Sequence, residues 1–205
     1  MMDPEQPFRV DIIVANDKNR GIGLNGTLPW SIPAETNYYH GMINHVSSPD
    51  KQNAVIFGRI TFQSIRDAHD YEKLLKVVVT REAASTQPTD RNLHYVPTFQ
   101  AATEYLQIER ERERRNIETV WVLGGSRIYD EALRSPYLHR VYLTTVQGEF
   151  ACDTHFPEFD RTHFGIVNDP RVPVGVQTDN GISFQVEVLE RKSDQAAPPN
   201  IDLLV

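Results

Sequence analysis

Glu35 is followed at i+3, i+4 and i+7 by Tyr38, Tyr39 and Met42. On a helix these four share a face, with a carboxylate at its head and two aromatic rings and a thioether below it. An exposed glutamate held by the helix dipole is the plainer reading of Glu35 taken alone. The rings suggest another job. A planar heterocycle could lie against them while the carboxylate accepts two parallel N–H bonds from its edge, a strong and orienting contact.

Three other stretches suit phosphate. Phe57-Gly58-Arg59-Ile60-Thr61 reads as a strand running through glycine into a helix start that carries an arginine. Thr80-Arg81-Glu82 places a hydroxyl and a second arginine after the apolar run Leu74–Val79. Leu123-Gly124-Gly125-Ser126-Arg127-Ile128-Tyr129 brings a buried-type strand through two glycines to a new helix, whose first N–H groups favour an anion. The first two alone are most often plain surface positions; for the third the plain reading is a β–α packing glycine, which a Gly-Gly pair at this place disfavours. Two arginines in equivalent strand-end places favour a phosphate, because ligands of open α/β sheets bind outside the carboxyl ends of the strands.

The stretch Gly21-Ile22-Gly23-Leu24-Asn25-Gly26-Thr27-Leu28-Pro29-Trp30 contains a literal G-x-G-x-x-G. The dinucleotide fingerprint needs a strand ending just before the first glycine and a helix opening within it. Here Asn16-Asp17-Lys18-Asn19-Arg20 intervenes, and Pro29 pushes its predecessor out of helical conformation. The stretch reads as a long loop with glycine hinges.

The elements that must position these groups alternate. Expected strands are 8–14, 53–57, 74–80, 94–96, 119–123, 138–146 and 182–190. Expected helices are 33–47, 59–66, 99–116 and 126–134. Runs such as Val77-Val78-Val79 and Val120-Trp121-Val122-Leu123 suit strands covered on both faces. The pattern is that of an α/β fold, with an antiparallel edge where the last two long strands follow one another without a helix. Residues 161–178 read as a long loop, and the charged run from Glu109 to Arg115 as a solvated helix face with Glu111 paired to Arg115. The chain of 205 residues suits one domain, set here at 8–192 with a loose tail at 193–205.

A net charge of −7 argues against nucleic acid as the main partner, and 40% hydrophobic with 24% charged residues is ordinary for a globular protein. The single cysteine, Cys152, allows no internal disulfide and suits a reducing compartment. Residues 1–7 are polar and no apolar run is long enough to span a bilayer, so a cytoplasmic protein is expected.

In this order the pieces resemble the dihydrofolate reductase family. The matches are G-I-G-x-N-G-x-L-P-W at Gly21–Trp30, Glu35, K-Q-N-x-V-I-x-G-R-x-T at Lys51–Thr61, T-R-E at Thr80–Glu82, W-V-L-G-G-S-x-I-Y at Trp121–Tyr129 and D-T-x-F-P at Asp153–Pro157. They span nearly the whole domain and are jointly very specific. The longer loops look more like the eukaryotic, monofunctional enzymes than the short bacterial ones.

The resemblance implies a three-layer fold with a central, mainly parallel eight-stranded sheet, an antiparallel C-terminal strand and about four flanking helices. It implies NADPH as cofactor, with hydride transfer to C6 of 7,8-dihydrofolate and protonation at N5, taken to occur through water. Gly21–Trp30 becomes a mobile loop closing over the nicotinamide and the pterin. Glu35 looks like the carboxylate that binds the pterin, Thr144 like the hydroxyl supporting it, and Trp30 like an indole holding a water, with Leu28 beside them. Ile13, Val14, Thr36, Tyr39, Ser64, Ile65, Leu123 and Tyr129 would wall the substrate pocket. The cofactor would fall to Ala15, to the loop residues Gly21, Ile22, Gly23, Leu24, Asn25, Gly26 and Thr27, to Gly58, Arg59, Ile60 and Thr61, to Thr80, Arg81 and Glu82, and to Leu123, Gly124, Gly125, Ser126, Arg127, Ile128 and Tyr129. Arg59 and Arg81 would select NADPH over NADH at the 2′-phosphate. No metal is implied. Dihydrofolate and antifolate inhibitors are the implied partners, and a monomer the implied state.

Three positions depart from the family's pattern. The arginine that usually meets the α-carboxylate of the glutamate tail is Leu74 here, with Lys73 and Lys76 nearby; either a lysine substitutes as a weaker point charge, with Lys76 carried as a substrate-binding candidate, or a loop shift brings in another residue, and looser tail recognition is expected. A proline usual after Ser64-Ile65 is Arg66, and a larger apolar residue usual after the pterin carboxylate is Thr36. Two competing readings are a riboflavin-pathway reductase, against which Glu35 with Leu28-Pro29-Trp30 argues, and a nucleotide-binding regulatory protein without turnover.

Overall fold

The computed structural model describes residues 7–65, 68–88, 90–112 and 115–192. The strands are β1 Val10–Asn16, β2 Gly21–Gly23, β3 Gln52–Gly58, β4 Leu75–Val79, β5 Leu93–Val96, β6 Ile117–Val122, β7 Leu138–Gln147, β8 Thr154–His155, β9 Phe164–Val167, β10 Val176–Asp179 and β11 Ile182–Arg191. The α-helices are α1 Pro33–Asn44, α2 Arg59–Ile65, α3 Phe99–Glu111 and α4 Ser126–Arg134.

One sheet runs β10-β11-β7-β1-β6-β3-β4-β5, with β9 also paired to β11. From β7 to β5 every pairing is parallel, and β11 turns the edge antiparallel along eight register positions from Ser183–Gln147 to Glu190–Arg140. Alternate side chains of each strand enter opposite faces. Ile12, Val14 and Val77 pack with Phe99 and Leu106 of α3 and Ile128 of α4. Ile13, Val55, Val78 and Trp121 pack with Met42 and Ile43 of α1 and Phe62 of α2. The result is three layers, and the double burial explains why the parallel strands read as unbroken apolar runs.

Several expected bounds move. The helix 33–47 ends at Asn44 and the helix 99–116 at Glu111. Arg115 lies beyond α3 and does not serve as a helix-face partner of Glu111. Its guanidinium instead reaches Glu109 at 3.4 Å, the Asn92 side chain at 2.8 Å and the Arg91 carbonyl at 2.6 Å, tying α3 to the entrance of β5. Residues 161–178 are not a plain loop: they hold a 3-10 turn, β9 and β10. Arg66 and the expected tail at 193–205 lie outside the described residues.

Candidate active site

Gly21–Trp30 is built as a strand and a tight turn. Gly21–Gly23 pairs with Thr154–His155 of β8, and Leu24 bridges Thr27 across Asn25 (φ 52°) and Gly26 (φ 80°), the two positive-φ positions that an Asn-Gly hairpin turn requires. Asp17 fixes the entrance, its carboxylate accepting from the N–H groups of Asn19, Gly21 and Phe150 at 2.8, 2.7 and 3.0 Å. Those bonds outweigh the larger opposing effect of burial and hold its pKa below the usual range. Asp153 Oδ2 accepts from Asn25 N at 2.8 Å and pins the turn. No helix starts here, so the glycines do not form a dinucleotide fingerprint.

Under this loop lies a cleft of about 760 Å³. It opens along the carboxyl ends of β1, β3, β4 and β6, where the strand order brings the helix starts together. At its centre is Glu35, in the first turn of α1 and 5% exposed. Pro33 opens the helix, and its Ala34 N–H donates to Asp179 Oδ2 of β10 at 2.7 Å, while Asn180 Nδ2 donates to the Ser31 carbonyl. The β10 edge, absent from the sequence reading, thus fixes the helix that carries Glu35. Burial pushes the Glu35 carboxyl up to about 7, partly offset by Thr144.

Thr144 is mid-strand on β7, in register with Ala15 and Val186 and 1% exposed. It does not line the cleft but stands behind Glu35, and its Oγ1 makes no hydrogen bond of full geometry. Trp30 also sits behind the wall, packed with Ile32, Val146, Phe184 and Val186, and its buried Nε1 has no protein partner. Leu28, half exposed, lines the cleft mouth.

The expected substrate wall assembles: Ile13, Val14, Thr36, Tyr39, Ser64, Ile65, Leu123 and Tyr129 all line the cleft. Lys76 does not. It borders a separate small pocket near Phe62 and Ile65, with Nζ 3.2 Å from Asp90 Oδ2 and donating to the Tyr71 carbonyl at 3.2 Å. The partner acid satisfies this lysine, which corrects its place as a tail-binding substitute. Leu74 is 2% exposed and belongs to the core. His40, Tyr71, Val79, Pro97 and Thr154 also line the cleft and were missed. Spacing could have found His40, which follows the wall residue Thr36 at i+4 on the same face of α1; Tyr71 sits in a 3-10 turn among polar residues, which carries no period.

The other end of the cleft is cationic. Ala15, Ile22, Gly23, Gly26 and Thr27 approach it from the loop side, and Gly58, Ile60, Thr80, Glu82 and Ile128 from the strand ends. Arg59, Arg81 and Arg127 face it in a chain that is acidic as a whole. Gly21, Leu24, Asn25 and Gly124 lie off its wall: Asn25 is at the exposed tip, while Gly124 backs onto Tyr129 at φ 97°. The N-terminus of α4 begins at Ser126 with Gly125 as cap and no side-chain capping bond, so its N–H groups are open to an anion. A Cβ on Gly125 would meet Thr61 Oγ1 at 3.4 Å. Small residues, an open helix start and arginines fit a dinucleotide phosphate chain. Among the described residues no cluster of His, Cys, Asp or Glu is arranged to hold a metal, and no helix is long and apolar enough to cross a membrane.

Comparison with known proteins agrees with this geometry. The dihydrofolate reductase family model matches residues 9–191. The chain belongs to the dihydrofolate reductase family.

It is 35% identical over 188 residues to the dihydrofolate reductase of Drosophila melanogaster, covering 91% of this chain and all of that one. The Heliothis virescens enzyme is 34% identical, with 89% and 97% covered. The solved Schistosoma mansoni dihydrofolate reductase superposes with a TM-score of 0.76 at 30% identity, over 91% of this chain and all of its own. Dihydrofolate reductases use a nicotinamide cofactor, and the arginine-lined end of the cleft has the chemistry to hold one.

Proposed function

We propose that this protein reduces 7,8-dihydrofolate to 5,6,7,8-tetrahydrofolate with NADPH, supplying one-carbon metabolism and thymidylate and purine synthesis. The observation that carries this reading is the buried Glu35 carboxylate in one cleft with Arg59, Arg81 and Arg127. When bound, the cofactor supplies a hydride to C6 of the substrate, chemistry that belongs to the cofactor itself.

The chain's residues do the positioning. Glu35 accepts from the pterin N3–H and 2-amino group, which favours its ionised form and draws down the raised pKa of the free protein. Thr144 and Trp30 present polar hydrogens behind it, buried and without protein partners, that suit the carboxylate and its hydration. Ile13, Val14 and Leu123 form an apolar floor, and the turn at Leu24–Thr27 with Leu28 covers the reacting face. Closure excludes water and holds the reacting atoms at near-attack distance. N5 receives its proton from water. Arg59 and Arg81 meet the 2′-phosphate, and the open α4 start meets the pyrophosphate. Antifolates built on the same flat heterocycle bind the same cleft. The protein acts as a cytoplasmic monomer.

Mixing purified protein with NADPH and dihydrofolate and following cofactor absorbance tests the reading. Turnover is expected, with a loss of about a hundredfold or more in kcat/KM for Glu35→Ala, the order given by loss of a bidentate charged contact. Binding of both ligands without turnover would favour a regulatory module instead.

A further inference from the structure

Tyr38 follows Glu35 by one turn on the same face of α1, and it does not line the cleft. Its ring packs between two groups of side chains. Trp121, Tyr142 and Val188 lie on one side, Trp30, Val146 and Phe184 on the other, and Val172 touches both. The Tyr38 hydroxyl is buried and has no protein partner. Buried polar atoms are almost always bonded, so this one calls for a role. Burial pushes the phenol well above its ordinary range and keeps its proton on. Tyr142, Glu35 and Asp169 add to that rise and Arg171 opposes it, which sets the hydroxyl in the field of Glu35 and of the Asp169–Arg171 pair.

Tyr142 and Thr144 stand at i and i+2 on β7 and project from one face of it. Thr144 backs Glu35. Tyr142 donates its proton to Asp169 Oδ2 at 2.9 Å and accepts from Arg171 Nη2 at 3.3 Å. Arg140 Nη1 lies 3.8 Å from the same Asp169 oxygen, and its Nη2 lies 2.6 Å from Glu190 Oε2. His139 stands between Asp11 and Glu190 at 3.2 and 3.4 Å. Tyr142 is thus committed on both its donor and its acceptor side, and it does not compete for the Tyr38 proton. Tyr39 on α1 and Tyr129 on α4 also face Glu35, and burial holds both phenols neutral.

Resting on the function proposed above, we propose that Tyr38 is a positioning residue of the reaction: its hydroxyl donates through a bridging water to Glu35 and favours the ionised carboxylate that the pterin requires. A donor directed at a carboxylate stabilises the charged form. The Trp30 and Thr144 hydrogens are equally buried and unpartnered, so a water among these groups finds the two to four polar partners it needs. Tyr38 touches neither substrate nor cofactor; it acts through Glu35.

Tyr38→Phe removes the oxygen and keeps the ring. Infrared difference spectroscopy titrates the Glu35 carboxyl in the full chain without ligands, with Glu35→Gln identifying its band. In Tyr38→Phe the midpoint rises by about half a pH unit or more, and an unchanged or lowered midpoint overturns the proposal. Tyr142→Phe leaves the midpoint within about 0.2 unit, because that proton already belongs to Asp169. A shift as large as that of Tyr38→Phe would assign the effect to the Asp169 group and overturn the proposal. In turnover with NADPH at pH 7, KM for dihydrofolate rises about twofold or more in Tyr38→Phe; at pH 9, where Glu35 is ionised in both proteins, it equals the wild-type value. An equal rise at both pH values marks a merely structural role and also overturns the proposal. Absence of turnover in the wild type is a separate result: it defeats the reductase function, while the titration still decides this inference.

Discussion

The Tyr129 hydroxyl donates to the Ile13 carbonyl at 3.1 Å, joining α4 to β1 across 116 residues. The same ring lies against Gly124, where an added Cβ would stand 2.6 Å from Tyr129 Cε2 at a φ of 97°. The strand-end glycine and the wall tyrosine are therefore fitted to each other, and neither can change alone.

Gly124→Ala must displace a buried ring and adopt a left-handed backbone. We expect a loss of more than about 2 kcal/mol in stability together with weakened cofactor binding. Gly41, mid-helix in α1 and with nothing within 4 Å of a Cβ, is the control: Gly41→Ala raises stability by about 0.5–1 kcal/mol. Urea unfolding of both variants checks the pair.

Glu35 gives the stability curve a definite sign. Its carboxyl stands at about 7 in the folded protein against 4.5 ordinarily, so between these values the unfolded chain gives up the proton first. Stability of the ligand-free protein falls as pH rises from about 4.5 to 7, by on the order of 3 kcal/mol from this group. Glu35→Gln removes that slope: it unfolds at a higher temperature than wild type at pH 8 and at a similar one at pH 4.5. Equal differences at both values would contradict the burial effect.

Asp169 acts in the opposite sense. Its carboxylate accepts from Arg171 Nε and Nη2 at 2.9 and 2.6 Å and from the Tyr142 hydroxyl at 2.9 Å. The guanidinium holds it far below the usual carboxylate range. Its share of stability is present above about pH 4 and is lost as pH falls through the folded value. Since Asp169 is buried and Arg171 half-exposed, Asp169→Ala costs about 2–3 kcal/mol at pH 7, and the difference from wild type shrinks towards pH 2. Denaturation at several pH values reads this directly. The loop it braces delivers Val172 to the cluster around Trp30 and Tyr38, so the kcat/KM of the variant also falls.

The roles proposed for Arg59 and Arg81 predict a preference between the two nicotinamide cofactors. In Arg59→Ala and Arg81→Ala, kcat/KM for NADPH falls about tenfold or more, while that for NADH changes less than twofold, because only the former carries the 2′-phosphate. A parallel loss with both cofactors would move these arginines to the pyrophosphate.

How much of this was readable depends on burial. Val77-Val78-Val79 and Val120-Trp121-Val122 announce their strands because both faces are covered, and α4 begins and ends at the expected Ser126 and Arg134 because glycines precede it. Glu35 and Tyr39 reach one cleft as their helical spacing requires. The small edges were illegible. Thr154–His155 is too short to show a period, and Val176–Asp179 is half exposed, yet Asp179 from that edge seats α1. Lys76 was misplaced because sequence distance shows a nearby charge but not its partner, Asp90. Leu74 reads as a lost cation and proves to be core.

The position of β1 constrains how the chain is made. Its Asp11 is bracketed by Trp121 on one side and Arg140 on the other. A ribosome that has released only β1, β3, β4 and β5 has not yet made β6, which must wedge between β1 and β3. The nascent N-terminal half therefore leaves both flanks of its first strand unmatched until the C-terminal half emerges. Cutting the chain between β5 and α3 would yield two fragments that complete one sheet only on meeting.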